Sequence, residues 1–223
     1  MKAIILAAGV GSRLGRPFPK SLSVLPDGES ILGRQIRLFH EHGVREIIVV
    51  VGFKKTLIME AHPDVYFRYN PVFYITNTSK SLLCAARDLN DDVIWANGDV
   101  VFDPEVLRLV LETPANAVAV DRKKCAEEEV KYRTAQDGHI IAISKSVENG
   151  EGEAVGVNKV LAADLPALCA ALEKCEDQDY FERALETMIH GGLRFVPVDV
   201  SAHRCIEVDF SEDWQMAQKM FAK

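Results

Sequence analysis

The sequence predicts an α/β fold, a mainly parallel sheet covered by helices on both faces, with a β-hairpin excursion in the second half. Three observations carry this expectation. Short β-rich apolar runs alternate with helical patterns over the first 120 or so residues, the arrangement that builds parallel sheets from β-α-β units. An Asp137-Gly138 pair between two strand-like runs signals a hairpin. The length of 223 residues suits one well-buried core and is small for two, and no linker or repeat divides it, so residues 1–223 are read as a single domain. The expected architecture is three-layered and Rossmann-like, with a mixed but mostly parallel sheet.

Taken in order, Lys2 to Ala7 is an apolar run of strand length and Ile47 to Val51 is a second, richer in β-branched residues. Between them Ser30 is placed to cap a helix whose Leu32, Ile36 and Phe39 share a face, with Gly43 as its stop. Val65 to Tyr69 reads as a strand, followed by a helix capped by Thr78 or Ser79 that carries Leu82, Leu83, Ala86 and Leu89. Asp92 to Asn97 is the next buried strand. Asp103-Pro104 starts a helix buried through Val106, Leu107, Val110 and Leu111, and Ala117 to Val120 is again a strand. Glu129 to Thr134 and His139 to Ser144 form the hairpin, and Val155 to Leu161 returns as a strand. Two helices follow, one near Asp164 and Pro166 and one through Phe181, Leu185 and Met188 that stops at Gly191-Gly192. Strands at Leu193 to Val198 and Cys205 to Val208 precede a last helix capped by Ser211, with Trp214, Ala217 and Phe221 spaced to pack.

Composition narrows the function. With 26 Lys+Arg against 33 Asp+Glu the formal charge is −7, which disfavours nonspecific attraction to nucleic acid. No apolar run approaches the ~20 residues that cross a bilayer, and the short AIILAAG stretch after Lys2 reads as a buried strand instead of a leader. Five cysteines, odd in number and without CxxC or Cys/His spacing, indicate neither a disulfide framework nor a structural metal. A cytoplasmic setting is expected on that ground.

The most informative segment is LAAGVGSRLGRPFPK, Leu6 to Lys20, directly after the first strand. Ligands of open parallel sheets gather at the carboxyl ends of strands, where small residues let backbone N–H groups approach phosphate oxygens. Leu6, Ala7, Ala8, Gly9 and Gly11 are the expected contacts, and Arg13 and Lys20 add cations for a triphosphate. Gly9, Gly11 and Gly15 give GxGxxxG instead of the dinucleotide GxGxxG, and Lys20 follows Pro19 instead of completing a P-loop Gly-Lys-Ser/Thr. Both commoner phosphate motifs are excluded.

The order LAAGxGxRL then Pro-Lys resembles the signature of nucleoside-triphosphate-dependent nucleotidyltransferases, which make nucleotide sugars and CDP-linked alcohols. The interval from Arg13 to Lys20 is shorter than in most sugar-nucleotide members. ANGDVVFD, Ala96 to Asp103, and IEVDFSEDW, Ile206 to Trp214, are similar to the elements that supply the family's two metal-binding aspartates, here Asp99 and Asp209. The segments LPDGESILGRQI, NTSKSL and EVKY…AISK resemble the bacterial phosphocholine-type cytidylyltransferase branch. The resemblance implies the nucleotide-diphospho-sugar transferase-like fold, with residues 1–121 as the nucleotide-binding half and 122–223 as the acceptor-binding half. It also implies Mg²⁺ as cofactor, CTP as the favoured nucleotide and a small phosphorylated alcohol or phosphonate as acceptor, phosphocholine foremost. Arg13, Lys20 and Asp99 become the catalytic residues. Asn77, Thr78 and Ser81 fall near base and ribose, Lys131 and Lys145 near the acceptor phosphate, and Glu153, Tyr180, Phe181 and Glu182 near the acceptor's far end, where a quaternary or primary ammonium would suit an aromatic face plus a carboxylate. A homo-oligomer is compatible with all of this.

The expected chemistry is attack by an acceptor phosphate oxygen on the α-phosphorus with loss of pyrophosphate. A phosphomonoester, with a second pKa of about 6, is mostly dianionic at neutral pH, so no general base is needed. Positioning and charge neutralisation remain to be supplied. Plainer readings stand beside each assignment. Asp99 alone is a turn residue, Asp209 alone a helix-start residue, and Lys131 and Lys145 solvated strand residues. Phe181 and Trp95 read as core, His190 as a helix-end cation and Glu127 to Glu129 as a solvated edge. Two functional alternatives remain open, a sugar-1-phosphate nucleotidyltransferase using UTP, dTTP or GTP, and a nucleotide-binding regulatory domain without catalysis.

Overall fold

A computed structural model describes residues 1–11, 15 and 17–222. The main sheet is built from β1 (Lys2–Ala7), β2 (Ile47–Val51), β3 (Tyr66–Tyr69), β4 (Val93–Asn97), β6 (Ala117–Asp121), β9 (Gly152–Val160) and β10 (Val196–Asp199). Across it the order is β10-β6-β9-β4-β1-β2-β3, and every pairing is parallel except those of β9, which runs antiparallel to both β4 and β6. The hairpin β7 (Lys131–Thr134) and β8 (Ile140–Ser144) attaches to the start of β9 through β7. A separate antiparallel pair joins β5 (Val100–Phe102) to β11 (Cys205–Glu207).

Period-2 alternation makes the three layers. In β1, Ile4 and Leu6 face one helical layer while Ala3, Ile5 and Ala7 face the other. The first layer holds α3 (Thr78–Ala86), α5 (Leu165–Lys174) and α6 (Glu182–His190) through Leu82, Leu168 and Leu185. The second holds α1 (Ile31–Glu41) and α4 (Pro104–Glu112) through Leu32, Phe39, Val106 and Leu107. A smaller cluster of Leu25, Ile31, Val101, Val208, Trp214 and Phe221 seats α7 (Ser211–Met220) beside the β5–β11 pair. No described helix is long and apolar enough to cross a membrane.

Several boundaries differ from expectation, each for a local reason. α2 (Lys55–Ala61) was not expected from the sequence; it starts from Lys54 in the left-handed region, φ 45°, without a side-chain cap. α3 is capped by Asn77, whose Oδ1 accepts from the Thr78 N–H at 2.8 Å, because the Thr78 hydroxyl is committed to the Phe181 N–H at 3.1 Å. α7 begins at Ser211 but is capped from within by Asp213, whose Oδ2 accepts from the N–H groups of Asp209 and Phe210 at 3.0 and 2.7 Å. Leu193 is still tied to the end of α6, its N–H donating to Met188 O at 3.0 Å, so β10 starts later than the apolar run. Phe181 is core, 1% exposed and edge-on to Trp95 with ring centroids 5.5 Å apart.

Candidate active site

A cavity of about 560 Å³ opens at the carboxyl ends of β1 and β4. The turn after β4 makes its floor. Gly98 donates its N–H to Leu6 O at 2.9 Å, and a Cβ there would sit 2.7 Å from the same oxygen, so only glycine lets the turn close on β1. The turn is also pinned from below. The buried Gln35 of α1 donates through Nε2 to Asn97 O at 2.8 Å and to Val100 O at 2.7 Å, on either side of Asp99.

The β5–β11 register brings the two aspartates together from opposite ends of the chain. Val100 pairs with Glu207, and the Val208 N–H donates to Asp99 O at 3.0 Å. Asp209 therefore emerges beside Asp99, fixed by the Asp213 cap on its own N–H. The whole corner is clamped. Arg204 chelates Asp103 with its Nη2 2.8 Å from Oδ1 and donates Nη1 to Met220 O at 2.8 Å, while Phe221 lies between the guanidinium groups of Arg34 and Arg204, each 4.8 Å from its ring centroid.

Lys20 closes the cluster. Its Nζ lies 2.6 Å from Asp99 Oδ2 and 2.8 Å from Asp209 Oδ1. Burial alone would lower its pKa, but the two carboxylates overcome that and hold the ammonium charged above its ordinary range. Gly11 gives this side chain room, since a Cβ there would lie 3.1 Å from Lys20 Cβ at φ +62°. The ammonium stands where a cation between two hard carboxylates belongs, and Asp99 Oδ1 is buried with no hydrogen-bond partner, an open ligand position. Among the described residues no group of three or more His, Cys, Asp or Glu is arranged to hold a metal. The donor set thus fits a hard divalent cation whose coordination is completed by substrate oxygens and water.

Of the residues expected from the sequence, Leu6, Ala7, Gly9, Gly11, Lys20, Asn77, Thr78, Asp99, Lys145, Glu153, Tyr180, Glu182 and Asp209 line this one cavity. Arg13 lies outside the described residues. Three stand apart from the cavity lining. Ala8 is buried and gives its carbonyl to the Phe53 N–H at 3.0 Å. Ser81 is buried in α3 and accepts from Asn70 Nδ2 at 3.1 Å. Lys131 donates its ammonium to Lys145 O at 2.7 Å and Glu127 O at 3.2 Å, fastening the loop before β7.

The cavity also contains residues that sequence reasoning missed. Glu128 and Glu129, read as a solvated edge, lie on its wall, and so does Glu207. Glu207 ends β11 two residues before Asp209, and that closeness in sequence offered a signal. Surrounding protein, then Asp99 and Asp209, push its carboxyl well above the ordinary range. At the far end the chain 177–181 is laced to the start of α3, with Asn77 N–H donating to Asp177 O at 2.8 Å and Phe181 N–H to Thr78 Oγ1. This lacing holds Tyr180 and Glu182 on the cavity wall.

Glu182 is 7% exposed, and burial pushes its carboxyl up to about 7, partly opposed by its own N–H and by Lys145. The unfolded chain gives up this proton near the ordinary value of about 4.3, so folding takes up a proton between there and pH 7. The stability this group contributes is complete below the unfolded pKa and lost as pH rises through 7. Glu182→Gln will therefore match the wild type near pH 4 and exceed it by about 3 kcal/mol at pH 8, as read by urea unfolding at both pH values.

Comparison with known proteins places the chain among relatives. The sequence profile of the MobA-like NTP transferase domain matches residues 3–153. CMP-5'-(3-aminopropyl)phosphonate synthase of Streptomyces rubellomurinus is 30% identical over 245 residues, covering 100% of this chain but only 39% of that protein. CTP:phosphocholine cytidylyltransferase from Streptococcus pneumoniae superposes with a TM-score of 0.81 at 19% identity, over 98% of each chain. The inositol-1-phosphate CTP transferase from T. maritima superposes at 0.84 with 16% identity, over 99% of this chain and 95% of that one.

Proposed function

Because the chain belongs to the MobA-like NTP transferase domain family, we propose that it transfers a cytidylyl group from CTP to the phosphate or phosphonate oxygen of a small acceptor, releasing pyrophosphate. The observation that carries this reading is Lys20 held between Asp99 and Asp209 at the mouth of the glycine loop, within 2.8 Å of both. CTP is favoured over other nucleotides by the relative that makes a CMP-phosphonate and is 30% identical over this whole chain.

Each residue then has a separable task. The backbone at Gly9 and Gly11 approaches the triphosphate, where no Cβ intervenes. Lys20 leaves its carboxylates for the β- and γ-phosphates and stabilises the charge that grows on the departing pyrophosphate. Asp99 and Asp209 hold the cation; Mg²⁺, suited to hard oxygen ligands, would neutralise and polarise the α-phosphate when bound. Lys145 stands over Tyr180 on the wall of the acceptor's part of the cavity. The acceptor's own phosphate oxygen is the nucleophile and needs no base at neutral pH. Gln35, Asp213 and Arg204 act at a distance by fixing the carboxylates in near-attack geometry.

The test is pyrophosphate release, coupled to inorganic pyrophosphatase, with CTP, Mg²⁺ and a panel of phosphate and phosphonate acceptors. Release is expected only when all three components are present, with CTP turned over faster than UTP, dTTP, ATP and GTP. A purine nucleotide turning over fastest rejects the cytidylyl assignment, and no release with any pairing rejects the transferase reading.

A further inference from the structure

The far end of the cavity carries a chemical signature of the acceptor. Glu182, the first residue of α6, is more than nine-tenths buried, lines the cavity, and leaves its Oε2 without any hydrogen-bond partner. A buried carboxylate oxygen with no partner is costly, and one retained on a cavity wall calls for a donor from outside the chain. Its neighbours do not supply one. Lys145 stands over the Tyr180 ring, 4.5 Å from the centroid, and 3.6 Å from Glu128, while Lys123 is spent on Glu153 at 2.8 Å and Glu129 at 3.2 Å.

We propose, resting on the transferase reading, that the acceptor is a short aminoalkyl phosphate or phosphonate whose protonated primary amine donates to Glu182. The choice of a primary over a quaternary ammonium follows from the lining. A trimethylammonium group has no N–H to give and is held by several aromatic faces. Here Tyr180 is the aromatic side chain at this end among the described lining residues, and its face is already occupied by the Lys145 ammonium. A primary ammonium instead satisfies the orphaned oxygen and pairs its charge with the carboxylate. The opposite end of the same small molecule is anionic, so the acceptor spans from Glu182 towards Lys20 and the glycine loop as a zwitterion. Of the quaternary and primary ammonium acceptors the sequence left open, this favours the unmethylated analogues over phosphocholine.

The wild-type protein is tested with CTP, Mg²⁺ and four acceptors, 2-aminoethyl phosphate, 2-aminoethylphosphonate, phosphocholine and ethyl phosphate. The expected result is a kcat/KM for at least one of the two primary amines roughly 100-fold above both phosphocholine and ethyl phosphate, in line with the discrimination a buried hydrogen-bonding site achieves. In Glu182→Gln the ratio between that amine and ethyl phosphate is expected to fall to within about 3-fold, the loss of a charge-assisted bond. Calorimetric binding of the same acceptors to the CTP-loaded protein, with Ca²⁺ in place of Mg²⁺, gives a readout separate from turnover. Amine-dependent binding lost in Glu182→Gln with no pyrophosphate released from any acceptor supports this assignment and overturns the transferase reading. Turnover and binding that are equal for ethyl phosphate and the amines, or better for phosphocholine, overturn this assignment and leave transfer standing. Discrimination kept intact in Glu182→Gln assigns the amine elsewhere and also overturns it.

Discussion

Exchanging Lys20 for Met will slow turnover while tightening the hold on a divalent cation. The ammonium sits within 2.8 Å of both Asp99 and Asp209, so in the substrate-free protein it competes for the same oxygens that a metal ion needs. Removing it leaves two carboxylates facing each other and costs on the order of 2 kcal/mol of stability, since a partly buried charge cluster has lost its counter-ion. Added Mg²⁺ will restore the melting temperature of Lys20→Met more than it raises that of the wild type, because binding to the folded state alone is read as stability. Turnover nonetheless falls by roughly 10²–10³-fold, the loss expected when one charged group at a transition state disappears. Metal affinity and kcat moving in opposite directions separate a phosphate-neutralising lysine from a structural one. Both falling together would assign Lys20 to holding the fold.

The second large effect belongs to the aspartates. Asp99→Ala and Asp209→Ala will each reduce kcat by about 10³-fold or more, since each removes half of the protein's hold on the cation. Their consequences for folding differ from those for activity. Lys20 keeps one carboxylate partner in either variant, so the unfolding free energy from urea curves will fall by about 1 kcal/mol, the scale of one partly exposed ion pair with a charge-assisted hydrogen bond. Single-turnover rates and unfolding curves measured on the same preparations check both statements.

How much of this was legible before the structure depends on the range over which each signal acts. β1 and β2 were readable to the residue because an apolar run between turn signals is a local feature. The glycine loop's place beside the cavity was readable because a run of small residues directly after the first strand is a local feature. The pairing of Asp99 with Asp209 followed from family resemblance; its physical cause, the Val100–Glu207 register, is a contact between segments more than 100 residues apart that no local pattern encodes. The same holds for β9, buried along its whole length, whose apolar run says nothing of direction and which proves antiparallel to both neighbours. Lys131 lies off the cavity lining for a different reason. Strand alternation gives the face of a residue, but its long side chain turned to the carbonyls of Glu127 and Lys145. Glu128 and Glu129 look like any solvated acidic run until the loop carrying them is folded over the cavity.

The claim on which the rest depends is that Asp99 and Asp209 jointly hold a cation for a bound triphosphate. Titrating Mn²⁺ against the protein with CTP, and reading free Mn²⁺ by electron paramagnetic resonance, tests it without requiring turnover. The account predicts a tight nucleotide-dependent Mn²⁺ site in the wild type that weakens at least about 30-fold in both Asp99→Asn and Asp209→Asn, a floor set by the roughly 10–100-fold that loss of even an outer-shell partner of a metal ligand costs. Mn²⁺ binding with CTP that is unchanged in both variants would contradict it.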